Sequence, residues 1–113
     1  MNQPVNPNQA EFMRIMGRRK IKAEEKYYAY AFLRQWLNSD PRALERLIAN
    51  TNDSKVLAIC LIFRAALTKL NTFRGTDLTV GVDVRTSRAI WRELMVMSSV
   101  GVISRLPLGI YRG

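Results

Sequence analysis

The sequence predicts a mainly α-helical single domain that ends in a small C-terminal β-hairpin. Three observations predict it. Apolar residues recur at helical spacing over four stretches between Ala23 and Ser98. Near the end, the turn-forming run Leu106-Pro-Leu-Gly109 separates two short β-prone segments. The length of 113 residues suffices for one hydrophobic core and not for two, and a composition of 48% hydrophobic and 24% charged residues belongs to a chain that builds such a core.

Residues 1–10 are polar and carry Pro4 and Pro7, which predicts a flexible leader. Residues 11–22 have two readings. Arg14, Arg18, Arg19, Lys20 and Lys22 follow one another with no acid between them and make a candidate phosphate-contacting arm, whereas Phe12, Ile15 and Met16 suit the start of a first helix packed on the body. Residues 23–113 are expected to form the globular domain. Its first helix runs from about Ala23 to Leu37, where Ala29, Phe32, Leu33, Trp36 and Leu37 make one buried stripe and Glu24 and Glu25 suit the positive N-terminal end. Tyr27, Tyr28 and Tyr30 are read as core in preference to base-stacking residues, and this helix, with Trp36, is the surface expected to support a homodimer.

Asp40-Pro41 is a helix-start signal and predicts a short helix from Pro41 to about Ala49 with Leu44, Leu47 and Ile48 on its apolar face. After the loop Asn50–Asp53, Asp53 or Ser54 caps a helix over about 55–70. That helix is apolar almost all round from Val56 to Leu67, as a central helix must be, with Cys60 in the core. Asn71–Thr76 breaks the pattern at Gly75. The alternation in Leu78–Val84 predicts a short extended segment with a bend at Gly81. Thr86 or Ser87 is expected to cap a helix from Arg88 to about Ser98. Ile90, Leu94 and Met97 lie on its inner side, and Arg85, Arg88 and Arg92 lie on another line that Met95 continues. Val100–Arg105 reads as a Gly-terminated helix end running into a strand, and Ile110–Arg112 as the returning strand of the closing hairpin.

The residue inventory narrows the chemistry. With no histidine and a single cysteine, the chain offers no imidazole base, no His-assisted nucleophile, no internal disulfide and no Cys/His zinc site. Glu24-Glu25-Lys26 with Asp77 and Asp83 gives only a weak metal-nuclease pattern, since the two glutamates are explained as a favourable first turn, and no phosphate-cradling Gly-rich loop is present. No catalytic residue, metal ligand or cofactor is therefore assigned, and no enzymatic activity is expected. The longest apolar run, Val56–Phe63, has eight residues, against about 20 for a membrane-spanning helix. With no secretory signal pattern at Met1–Gln9, the expected location is the cytoplasm, or the host cytoplasm for a viral protein, with no membrane partner.

Charge points to a partner. Lys and Arg number 18 against 9 Asp and Glu, a formal net charge of +9, and 13 of the 18 are arginine, whose planar fork matches phosphate and guanine edges. A polyanion is the expected partner, with double-stranded DNA ahead of RNA because no Gly-x-x-Gly loop or aromatic-rich sheet motif is found.

The stretch Arg85-Thr-Ser-Arg-Ala-Ile-Trp-Arg-Glu-Leu-Met-Val-Met-Ser-Ser-Val-Gly-Val-Ile-Ser-Arg105, followed by Leu106–Arg112, resembles a winged-helix DNA-binding domain in element order: a capped helix with exposed arginines, a glycine turn and a two-stranded hairpin. The likeness covers about the last 30 residues well and extends over about 54–113 if the 55–70 helix opens the domain. It implies that Thr86, Ser87, Arg88 and Arg92 face the DNA major groove and that Arg105 and Arg112 lie on the wing. The hydroxyls of Thr86 and Ser87 and the free amides at the helix start would hold a phosphate. Where that family has a second short helix, this chain offers the alternating Leu78–Val84. The expected function is a small duplex-DNA-binding regulator or genome-organising factor, cellular or viral. The DNA-contacting candidates are Arg85, Thr86, Ser87, Arg88, Arg92, Arg105 and Arg112, with Arg18, Arg19, Lys20 and Lys22 as the arm. A basic RNA-binding or protein-assembly module is the alternative.

Overall fold

Asn6 and Pro7 begin the first helix described by a mechanism that composition alone disguises. The computed structural model of the chain describes residues 6–68 and 70–113. The Asn6 side chain accepts the Asn8 N–H at 2.9 Å, and Pro7 occupies a position where a missing N–H costs nothing, so α1 spans Pro7–Met16. The leader expectation is corrected over 6–10, where proline is a helix starter, and its first five residues lie outside those described. The helix-start reading of residues 11–22 holds as far as Met16: Phe12, Ile15 and Met16 are all buried.

The chain divides into two compact units, Met1–Ala43 and Leu44–Gly113. The first is an antiparallel pair of α1 and α2, the latter spanning Ala23–Ser39. Ala29, Tyr30, Leu33, Trp36 and Leu37 are buried, and the Phe12 and Trp36 rings meet with centroids 6.4 Å apart. The Asn6 side-chain amide donates to the Ser39 hydroxyl at 3.0 Å, tying the start of α1 to the end of α2. Trp36 and Tyr30 are thereby removed from the expected dimer surface, whereas the core reading of Tyr27 and Tyr28 is corrected: both are exposed, in edge-to-face contact with each other on the outer side of α2.

The short helix α3 covers Ala43–Asn50. It starts two residues after the predicted Pro41, because Asp40 closes the end of α2, and the Ala43 N–H donates to the Asp40 backbone carbonyl at 3.0 Å. In the second unit α4 spans Ser54–Ala66, capped by the Asp53 carboxylate, which accepts from the N–H groups of Lys55 and Val56 at 2.8 and 3.4 Å. Eight of its residues, from Val56 to Ala66, are buried, Cys60 among them. The predicted extension to residue 70 fails: the chain unwinds after Ala66, the Thr68 hydroxyl donates to the Ala65 carbonyl, and Asn71 turns into the left-handed region at φ 61°.

Three features follow that the sequence reading placed differently. Thr72–Arg74, where the sequence predicts only a break, is strand β1. Gly75–Thr79 is a 3₁₀ turn, so the extended segment expected at Leu78–Val84 is corrected. Its alternation answers no sheet, since Val80 and Val84 are exposed and Leu78 and Val82 only half-buried, although Gly81 does bend the chain at φ 76°. Third, α5 spans Val84–Ser99 and is capped by Asp83, whose carboxylate accepts the Thr86 N–H at 2.8 Å; neither Thr86 nor Ser87 is the cap. The inner face of α5 is as expected, with Ile90, Leu94 and Met97 fully buried.

The closing hairpin pairs β2 (Ser104–Arg105) with β3 (Ile110–Arg112), and β1 adds to the other side of β3 to give an antiparallel sheet in the order β1-β3-β2. Phe73 lies opposite Tyr111 and their rings stack at 5.8 Å. The second unit is thus helical with a three-stranded antiparallel sheet, and its order of helix, strand, short helix, helix and hairpin is compatible with a winged-helix-like arrangement.

Candidate nucleic-acid interface

At 3.6 residues per turn, positions 85, 88 and 92 lie within about 60° of one another on a helix. In α5 this puts the three arginines in one outward row, opposite the buried Ile90, Leu94 and Met97. The row spans about 10 Å along the axis, close to the width of about 12 Å of a B-DNA major groove. All three are exposed, and none forms an ion pair among the described residues.

The arginine row opens onto a groove of about 1240 Å³ between the start of α4 and the first half of α5. Lys55, Arg85, Arg88 and Arg92 bring four cations to it, and the two carboxylates present, Asp53 and Asp83, both serve as helix caps. Hydrogen bonds from the Thr86 side chain and then its backbone N–H hold the Asp83 carboxyl below its ordinary range, so it stays ionised. Ser54 and Thr51 add polar groups to the wall. Lys55 was missed in the sequence, because only the packing of α4 against α5 brings residue 55 beside residues 85–92.

Thr86 does not take the place expected of it. Its side chain is 5% exposed on the inner face, and its N–H is already bonded to the Asp83 carboxylate. A phosphate at this helix start would also meet that negative charge, so the amide site anticipated from the free helix end is occupied from within. Ser87 is half-buried, and the next residue, Arg88, is exposed.

Arg105 and Arg112 are both exposed on the hairpin. Arg105 pairs with Tyr111, and Arg112 with Ser104 and Thr72, so the two arginines leave opposite faces of the ribbon. The four arm candidates belong to the first unit, in the turn between α1 and α2. There Arg18 is held by an ion pair with Glu25, while Arg19, Lys20 and Lys22 are exposed. Arg14 is paired with Glu11 at 2.8 Å along α1.

The outward face of α5 also carries apolar side chains. Val84, Trp91 and Met95 are exposed, at a spacing that sets them on one line beside the arginines. Trp91 is anchored at its ring: a Cβ on Gly75 would lie 2.7 Å from it and 3.2 Å from Tyr111, so the indole lies directly against the glycine. Among the described residues there is no cluster of three metal-binding side chains, and no helix is long and apolar enough to cross a membrane.

No family model, curated protein or solved structure matches the chain.

Proposed function

We propose that this chain is a non-enzymatic duplex-DNA-binding protein of winged-helix type, a small transcriptional regulator or genome-organising factor, with α5 as its major-groove helix and the β2–β3 hairpin as its wing. The observation that carries the reading is the row Arg85, Arg88 and Arg92, exposed, without ion pairs among the described residues, and backed by a rigid buried face. Several guanidinium groups on one face attract a polyanion, and phosphate contacts then supply most of the affinity. Lys55 across the groove and Arg105 and Arg112 on the hairpin extend the positive surface of the same unit. A rigid helix face is also the proper support for contacts to base edges, which carry sequence preference where phosphate contacts do not.

The stripe of Val84, Trp91 and Met95 favours a second reading, a protein-assembly surface on which the arginines meet an acidic partner. Competition separates the readings. A labelled DNA duplex bound by the protein is challenged at constant salt with unlabelled DNA and RNA duplexes of equal length and with an acidic polypeptide. Preferential displacement by DNA supports the proposal. Preferential displacement by RNA or by the polypeptide overturns it in favour of that partner.

A further inference from the structure

We propose that Leu108, at the tip of the β2–β3 hairpin, is an apolar wedge that enters the minor groove of duplex DNA and opens a base step. The proposal rests on the DNA-binding reading above.

Leu108 is unfavourably placed in two independent respects. It is 95% exposed, more than any other large apolar side chain described, so it contributes nothing to the core. Its backbone is also left-handed, at φ 63° and ψ 32°, where a leucine Cβ is crowded and glycine or asparagine is at ease. Backbone strain of this kind clusters at ligand contacts, so the proposal gives this residue a contact outside the chain.

The tip is built to hold that leucine in place. The Leu106 N–H donates to the Ile110 carbonyl at 2.8 Å, closing the loop. Pro107 fixes the preceding dihedral, and Gly109 at φ 72° completes the reversal. The backbone that carries the side chain is held in place, so only the leucine's own rotamers need ordering on binding. The surroundings select the partner. Arg105 and Arg112 emerge from opposite faces of the ribbon just behind the tip, an arrangement suited to the two phosphate strands that wall a groove. A one-residue apolar point fits the minor groove, about 6 Å wide, where leucine and similar side chains act as wedges between base pairs.

The test uses duplexes with 2-aminopurine at spaced TA steps, which unstack readily, and compares wild type, Leu108→Gly and Leu108→Asn with Arg88→Ala/Arg92→Ala. The proposal expects wild type to raise 2-aminopurine fluorescence. Both Leu108 variants should melt no lower than wild type, since Gly and Asn suit the left-handed backbone better, keep the wild-type salt slope, bind about tenfold more weakly and give no fluorescence rise. If binding depends on Arg88 and Arg92 but the Leu108 variants match wild type in affinity and fluorescence, the wedge is overturned and the DNA reading stands. If the Leu108 variants flatten the salt slope, the tip acts through phosphate contacts and the wedge is likewise overturned. Absence of any duplex binding by wild type overturns both.

Discussion

Cys60 is fully buried in α4, and burial pushes its thiol up to about 12. At pH 8 almost none of the thiol is then the reactive thiolate, so iodoacetamide should modify the folded protein only at the rate at which it opens. Equal alkylation rates in buffer and in denaturant would contradict this placement. Asp83 is shifted the other way, held down by hydrogen bonds from the Thr86 side chain and backbone. A carboxylate that binds its proton less readily when folded stabilises the fold fully above its unfolded value of about 3.9, and that contribution is lost as pH falls through the folded-state value. Asp83→Asn retains capping ability without the titration, so its melting temperature should fall less steeply than that of wild type between about pH 5 and pH 3. Identical slopes in thermal melts would show that the cap does not titrate. Glu93, an acidic residue of α5 that composition would assign to the solvated side, is instead buried on the inner face.

Gly75 links α5 to the sheet. Its missing side chain leaves room for the Trp91 indole and Tyr111, and Gly75→Ala should therefore destabilise the second unit by about 1–3 kcal/mol in denaturant melts. A neutral result would mean that the indole moves aside freely. The elements legible in the sequence were those whose signals are local. The stripes of α2 and α5, the Asp53 cap, the all-round apolar run of α4 and the Pro-Leu-Gly turn all depend on neighbours within a few residues. Strand β1 was hidden because Thr72–Arg74 is defined by pairing with Ile110–Arg112, nearly forty positions away. The apolar alternation of Leu78–Val84 imitated a strand, although the segment has no strand to pair with. In the same way Leu67 and Leu70 prolonged the apparent pattern of α4 while both remain exposed. For the candidate site, the arginine row was readable from spacing alone. The contribution of Lys55 and the loss of Thr86 to its cap depend on tertiary packing and on one hydrogen bond.

For the molecule as a whole, a formal net charge of +9 on 113 residues sets a long-range attraction to any polyanion, and salt weakens it. Charge alone does not select a site. The exposed cations are distributed over both units, with Arg19, Lys20 and Lys22 in the first and Arg85, Arg88, Arg92, Arg105 and Arg112 in the second. What distinguishes the α5 row is its placement on a helix whose opposite face is fully buried, so that its spacing is fixed before any partner arrives. The most direct measurement is the salt dependence of fluorescence-anisotropy binding to a random-sequence DNA duplex, for wild type and for Arg88→Ala/Arg92→Ala. Each phosphate contact contributes about −0.9 to the log–log slope, so the double variant should bind more weakly at every salt concentration with a slope shallower by about 1.8. A double variant that binds as tightly as wild type, with the same slope, would contradict the assignment of α5 as the DNA-binding helix.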